Sequence, residues 1–323
     1  MSKLKGYDDD KAALGYDADD PVHVEKTLTS DTNTSARRLQ PPPEIASLSR
    51  DERAAIEKKL MRQIDWRLLP VLILMYIMNY LDRNNIAAAR YAGTPSMEQA
   101  LDMDPAGQQY PTAVSILFVG YILMQVPSNL FLNKVGKPAI YLPTVMVIWG
   151  VISAATGQVR SYGSLLAVRF ILGFIEAAYF PGVLFFLSSW YTRKELAFRT
   201  ALLYSGSLIS GAFSGLIAAG ITNGLDGARG ISAWRWLFII EGAITVAIAI
   251  SAYFILPNFP RTTGWLTPQE RALAIWRLEE DVGLDDWTSS KDQSFWHGFV
   301  LAFKDIKTYI LMLMILCIVS AAV

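Results

Sequence analysis

The chain has 323 residues, 52% of them hydrophobic, and its 29 basic and 29 acidic side chains balance, so its charge gives no case for nucleic acid as a partner. One cysteine, Cys317, excludes an intrachain disulfide, and two distant histidines, His23 and His297, make no metal-ligand cluster. Mean hydropathy is positive although the opening stretch is strongly polar, so the remainder is more apolar than a soluble domain and belongs in a membrane.

Residues 1–48 mix Asp8, Asp9 and Asp10, a Ser/Thr stretch and Pro41, Pro42 and Pro43, with too few large apolar residues for a core. They are expected to form a disordered cytoplasmic tail. No apolar segment of a secretory signal is present there, so insertion would be directed by the first true span. Ser49 and Glu52 read as a capping box, and Ile56, Leu60 and Ile64 recur every fourth residue beside Lys58, Lys59 and Arg62. This predicts an amphipathic helix over 49–67, lying on the membrane surface and leading into the bilayer. An ordinary solvent-exposed helix carries the same pattern.

Six apolar stretches follow, at 68–89, 110–132, 139–156, 162–190, 200–221 and 234–256. Each is near the ~20 residues that a helix needs to cross ~30 Å of hydrocarbon. A seventh starts near Tyr309, and 309–323 falls short of a comfortable crossing, so a span truncated within its helix is expected. Lys58, Lys59, Arg62, Arg67, Lys134, Lys137, Arg193, Lys194 and Arg199 flank one side of these spans. Arg90, Arg160, Arg229 and Arg235 flank the other, Arg90 being offset by Glu98, Asp102 and Asp104. The excess places the N-terminus in the cytoplasm, and with it a linker over 257–308. Within the linker Thr267, Pro268 and Glu270 start a helix that Gly283 would stop, and Phe295, Phe299 and Phe303 suggest a second surface helix. The fold class is therefore all-α membrane protein, a six-helix bundle (68–256) followed by a linker and the start of a seventh helix.

Charges inside apolar sequence carry the functional reading, because lipid penalises an unpaired charge at depth. With span one rising from Leu68 at about 1.5 Å per residue, Asp82 and Arg83 lie roughly 21 Å up, and Arg169, descending from Tyr162, reaches a similar depth. The three are expected to meet. Two guanidinium groups against one carboxylate leave a surplus positive charge that an organic anion would balance, gripped by paired hydrogen bonds. Glu176 lies two turns from Arg169 on the same face, and low dielectric disfavours a carboxylate's charged form, which makes it the candidate for proton coupling. The alternative is that these residues form packing ion pairs between helices. Glu241 in span six sits below Trp234, Arg235 and Trp236, which look like an interface anchor, and is expected to pair locally. Ser207, Gly211, Gly215 and Ala219 line span five every fourth residue, a stripe that permits close helix approach. Pro127, and Pro181 with Gly182, either loosen their helices for rocking motions or form passive kinks. No nucleophile with an adjacent base, metal cluster or phosphate loop argues for an enzyme, and no cofactor is implied beyond a proton as coupling ion.

The segments IDWRLLPVL (64–72), NYLDRNNI (79–86), YILMQVPSN (121–129), RFILGFIEAAYFPG (169–182), WRWLFIIEG (234–242) and WLTPQERALAIWRLEED (265–281) resemble the major facilitator superfamily. Within it they are most similar to the anion:cation symporters and their fungal allantoate-permease group. The resemblance implies that Arg83 and Arg169 contact an organic anion, that Asp82 and Glu176 take part in proton coupling, and that Tyr121 and Gln125 line the cavity. Asn133 departs from the aspartate that many members carry in the loop after span two. The family has twelve spans, so a complete transport path would need a C-terminal six-helix bundle as partner. The implied function is proton-coupled symport of a small carboxylate, such as a vitamin or an allantoate-like compound, across the plasma membrane. The alternative is a truncated, non-transporting membrane half.

Overall fold

The computed structural model describes residues 41–282, 300 and 303–322. The tail before Pro41 with Asn33 and His23, the helix stop at Gly283, Phe295 and Phe299 of the second linker helix, His297 and the side chain of Asn133 lie outside the described residues. Six long apolar helices follow one another: Arg50–Ala89, Gln109–Val135, Pro138–Thr156, Tyr162–Glu176 continued by Tyr179–Ser188, Arg193–Leu225 and Ala233–Ile255. They are called spans one to six below. The described residues contain no strand, and the architecture is the all-α bundle expected.

Helix starts are set by short polar residues that satisfy the orphan amides of the first turn. Ser49 Oγ accepts from the Glu52 amide at 3.3 Å while Glu52 Oε2 accepts from the Ser49 amide at 2.9 Å. The same exchange joins Thr267 and Glu270, at 3.2 and 3.1 Å, and starts the linker helix Pro268–Val282. At the other end of span two Gly136 takes a left-handed φ of 63° and returns its amide to the Leu132 carbonyl at 3.0 Å, a conformation a side chain would resist.

Three expectations change. The stretch 49–67 is no separate surface helix: it is continuous with span one through Pro70, and Leu60 and Ile64 are completely buried within the protein. The extension packs on the linker helix through Arg53, Glu57, Lys59 and Met61, and Leu273, Ala274 and Trp276 of that helix are buried in turn, so protein covers it where lipid was expected. The polar tail also ends early, because Pro43–Ala46 forms a helical turn against the linker helix and buries Ile45. Finally, span four is broken at Ala177 and Ala178. Pro181 lacks the amide that would bond Ala177, and its ring crowds that carbonyl, so the helix pauses directly after Glu176.

Span two packs on four, three on six and on four, and five and six both pack on one. Glycines set the closest crossings. A Cβ on Gly173 would strike the Leu117 carbonyl and one on Gly120 the Phe170 carbonyl, so spans two and four touch backbone to backbone. Between spans three and six, a Cβ on Gly242 would lie 2.6 Å from the Gly150 carbonyl. The small-residue stripe of span five is not used this way: Gly211 and Gly215 have nothing within 4 Å of a built Cβ. Gly173→Ala is therefore expected to cost about 1–3 kcal/mol by overpacking, whereas Gly215→Ala gains a few tenths from helix propensity. Thermal unfolding of both variants in mild detergent checks this, and equal melting temperatures would refute the assignment of the crossing.

The helix Ile306–Ala322 begins three residues before the expected start at Tyr309, and its large apolar side chains are exposed, Leu311 at 58% among them.

Candidate functional site

The pause after Glu176 is local, with Ala177 and Ala178 still in right-handed helical conformation, and the buried Glu176 carboxylate beside it calls for a cation. Arg83 of span one supplies it. Its Nε and Nη2 reach Glu176 Oε1 at 3.1 and 3.0 Å, and Asn79, one turn earlier on span one, donates to the same oxygen at 2.6 Å. Glu176 is 2% exposed, and its second oxygen, Oε2, has no hydrogen-bond partner. The Arg83 side chain keeps 18% of its surface open. Around it stand aromatic faces, Tyr121 at 5.1 Å, Tyr80 at 5.4 Å and Phe118 at 5.8 Å from the guanidinium carbon.

Arg169 lies against this pair but faces backbone. Its Nη2 donates to the Arg83 carbonyl and its Nε to the Ala113 carbonyl, both at 3.4 Å, while Nη1 is buried without a partner. The local charge is thus two guanidinium groups to one carboxylate, as the sequence suggests, with a different carboxylate. Asp82 does not join the arginines. It turns to spans three and six, accepting from Ser153 Oγ at 2.7 Å, Thr245 Oγ1 at 2.8 Å and Trp149 Nε1 at 3.2 Å. Neighbouring residues on a helix point about 100° apart, so Asp82 and Arg83 serve different sides of span one. Of the two cavity positions on span two, Tyr121 lies over Arg83, and Gln125 is half-buried one turn away.

One further expectation changes at the start of span six. Trp234 is fully buried in the protein core and so presents no face to lipid headgroups, and Arg235 donates to the Gly157 carbonyl at 2.7 Å. Glu241 is 1% exposed and has Asn85 of span one as its polar neighbour. Asn79 was absent from the expected site residues, although it stands in the quoted NYLDRNNI segment four residues before Arg83, the spacing that puts two side chains on one helix face.

Residues 72–323 match the family described as Major Facilitator Superfamily. The chain belongs to the major facilitator superfamily. Among relatives of this superfamily, the MFS-type transporter cnsO of Penicillium expansum is 40% identical over 79% of this chain and 48% of its own length. The putative metabolite transport protein NicT of Pseudomonas putida is 33% identical over 79% of this chain and 55% of its own. The chain thus spans about half the length of the curated relatives it matches. A solved structure of a bacterial homologue of the human lysosomal transporter Spinster, inward-facing and occupied, aligns with a TM-score of 0.52 at 19% identity. It covers 61% of this chain and 45% of that one, a likeness of fold. The superfamily and its apolar helices make this a multi-pass membrane protein.

Proposed function

We propose that the protein acts in proton-coupled symport of a small organic anion, as a member of the anion:cation symporters close to the fungal allantoate-permease group. The observation that carries the reading is the Arg83–Glu176 pair, partly open, beside a second arginine with a spare donor. Protonation at the free Glu176 Oε2 would neutralise the partner of Arg83 and release its guanidinium to grip a carboxylate, with Arg169 holding the remaining positive charge. Anion and proton would then enter together, since each is favoured by the other. Tyr121 and Gln125 line the cavity in this reading, and Asp82 is a further acid in the coupling. A second bundle would complete the site, because in such folds the substrate sits between two halves that rock around it. NicT of Pseudomonas putida is named as a metabolite transport protein, in keeping with a small substrate.

Uptake of labelled carboxylates by the full-length protein, at acidic and neutral external pH, tests this. Arg83→Lys and Arg169→Lys are each expected to weaken apparent anion affinity about tenfold, because an ammonium lacks the planar fork. Unchanged affinity in both would overturn the anion site. The plasma membrane with a cytoplasmic N-terminus is the proposed setting, argued from the basic flanks. Asn33 opens an Asn-Thr-Ser sequon and is accordingly expected to stay unglycosylated in a secretory-membrane assay. A glycan there would reverse the orientation.

A further inference from the structure

The extension of span one keeps one face that the linker helix only borders. Lys59, Arg62 and Trp66, and likewise Lys59, Gln63 and Arg67, follow one another at three- or four-residue spacing, so the five side chains share one side of the helix. Leu60, Ile64 and Leu68, on another side, are fully buried. With Trp265, Thr267 and Glu270 of the linker, the five line a cleft of about 540 Å³. Trp66 is 73% exposed at this cleft, two residues before the apolar stretch begins at Leu68. Pro70 and Leu74 continue its four-residue row along the span, and both are exposed.

The cleft carries more positive charge than its own residues neutralise. Its one carboxylate, Glu270, lies 3.8 Å from Lys59 through Oε1, while Oε2 already accepts from the Thr267 amide and hydroxyl at 3.1 and 3.0 Å. Among the described residues Arg62 has neither an ion pair nor a hydrogen bond, and Arg67 has no carboxylate partner. Arg67 instead lies over the Trp265 ring, 4.2 Å from its centre, and that ring is stacked in turn on the buried Trp190 with centroids 6.0 Å apart. An arginine held by an aromatic face rather than a carboxylate keeps its N–H donors for an oxygen ligand, and the supported ring fixes where they stand. Tryptophan collects at headgroup level, and basic pockets at the ends of spans take anionic headgroups.

We infer that this cleft binds the headgroup of an anionic phospholipid, with Arg62 and Arg67 donating to its phosphate, Lys59 adding charge and Trp66 standing at headgroup level. Seated there, the lipid touches both the extension of span one and the linker, and so bears on the contact that Arg277 makes with Glu57 and Met61 on the adjoining side of the same helix. The leaflet that supplies the lipid follows from the proposed orientation. Binding itself depends neither on that orientation nor on symport.

The test places this chain in phosphatidylcholine nanodiscs doped with phosphatidylserine carrying brominated acyl chains, or with the same brominated chains on phosphatidylcholine. Bromine quenches nearby tryptophans, so the anionic lipid should quench more strongly, and Trp66→Phe should remove most of the difference. Arg62→Gln combined with Arg67→Gln should lower the preference for phosphatidylserine about tenfold. Arg62→Gln alone leaves the Arg67–Trp265 contact in place and serves should the double variant fail to fold. Lys134→Gln, an equal change of charge at the exposed end of span two, should leave the preference unchanged. Equal quenching by the two lipids overturns the inference, as does an equal loss in Lys134→Gln, which would reduce the effect to general surface charge. Stabilisation by inorganic phosphate in lipid-free detergent with no preference between lipids would make the ligand a soluble phosphate and overturn the lipid assignment. The preference should persist in the full-length protein, and its disappearance there would show that the rest of that protein, not lipid, covers the cleft.

Discussion

Glu176→Gln in the full-length protein is expected to abolish accumulation driven by a proton gradient while anion binding persists. Glutamine keeps the shape of the side chain and can still accept from Asn79, which donates to Glu176 Oε1 at 2.6 Å, but it cannot neutralise Arg83 or take up a proton. Removing one partner of a buried ion pair costs about 3–5 kcal/mol. The open 18% of the Arg83 side chain softens this, so about 2–3 kcal/mol of stability should be lost without substrate. An added carboxylate anion restores the missing charge, so its stabilising effect should be larger in the variant than in the unmutated protein. Thermal unfolding with and without anion reads the first effect, and counterflow against pH-driven uptake separates binding from coupling. Normal pH-dependent accumulation by Glu176→Gln would refute the proton role. Loss of stability that no anion repairs would favour a purely structural ion pair.

The parts of this fold that lipid dictates were legible in the sequence. A crossing helix needs about 20 apolar residues, and all six spans announce themselves at that length. Local chemistry was equally readable, as at Ser49 with Glu52 and Thr267 with Glu270, where three residues decide a helix start. The candidate site was legible in membership more than in arrangement. Depth along a helix follows from the 1.5 Å rise, and it correctly put Arg83 and Arg169 near one another. Rotation was left out, and rotation separates Asp82 from Arg83. Long-range packing was not legible at all: Gly120 meets span four and Gly173 meets span two through backbone atoms that no periodicity in either helix reveals, while the regular stripe of span five has no such contact. The same limit hid the docking of the linker helix: its start was readable at Thr267 and Glu270, but not that it packs on residues 49–67.

That docked linker gives the other large expected effect. Arg277 is 3% exposed and bridges two acids from distant parts of the chain, Glu57 Oε1 at 2.5 Å from the extension of span one and Glu195 Oε1 at 2.6 Å from the start of span five. Arg53 with Glu280, and the Arg193 amide with Asp281 Oδ2 at 2.8 Å, reinforce the same contact from more exposed positions. Arg277→Ala removes the one guanidinium hydrogen-bonded to both Glu57 and Glu195, leaving Arg53 and Arg199 to act on those carboxylates only through space. The Glu57 and Glu195 side chains are 34% and 25% exposed, so the cost should fall near the lower end of the ~3–5 kcal/mol for a broken buried pair. About 3 kcal/mol is roughly a hundredfold in the population of undocked linker, which limited proteolysis of 257–282 in detergent or nanodiscs would report as faster cleavage. Arg277→Lys should rescue only part of this, since one ammonium cannot present a planar fork to two carboxylates at once. Arg53→Ala should cost under about 1 kcal/mol, because its pair with Glu280 is solvent-screened. Equal protease sensitivity of the Arg277 and Arg53 variants would show that burial at Arg277 does not hold the linker. The graded order Ala, Lys, Arg at position 277 would tie the linker to spans one and five, so that any motion of those spans carries the linker with it.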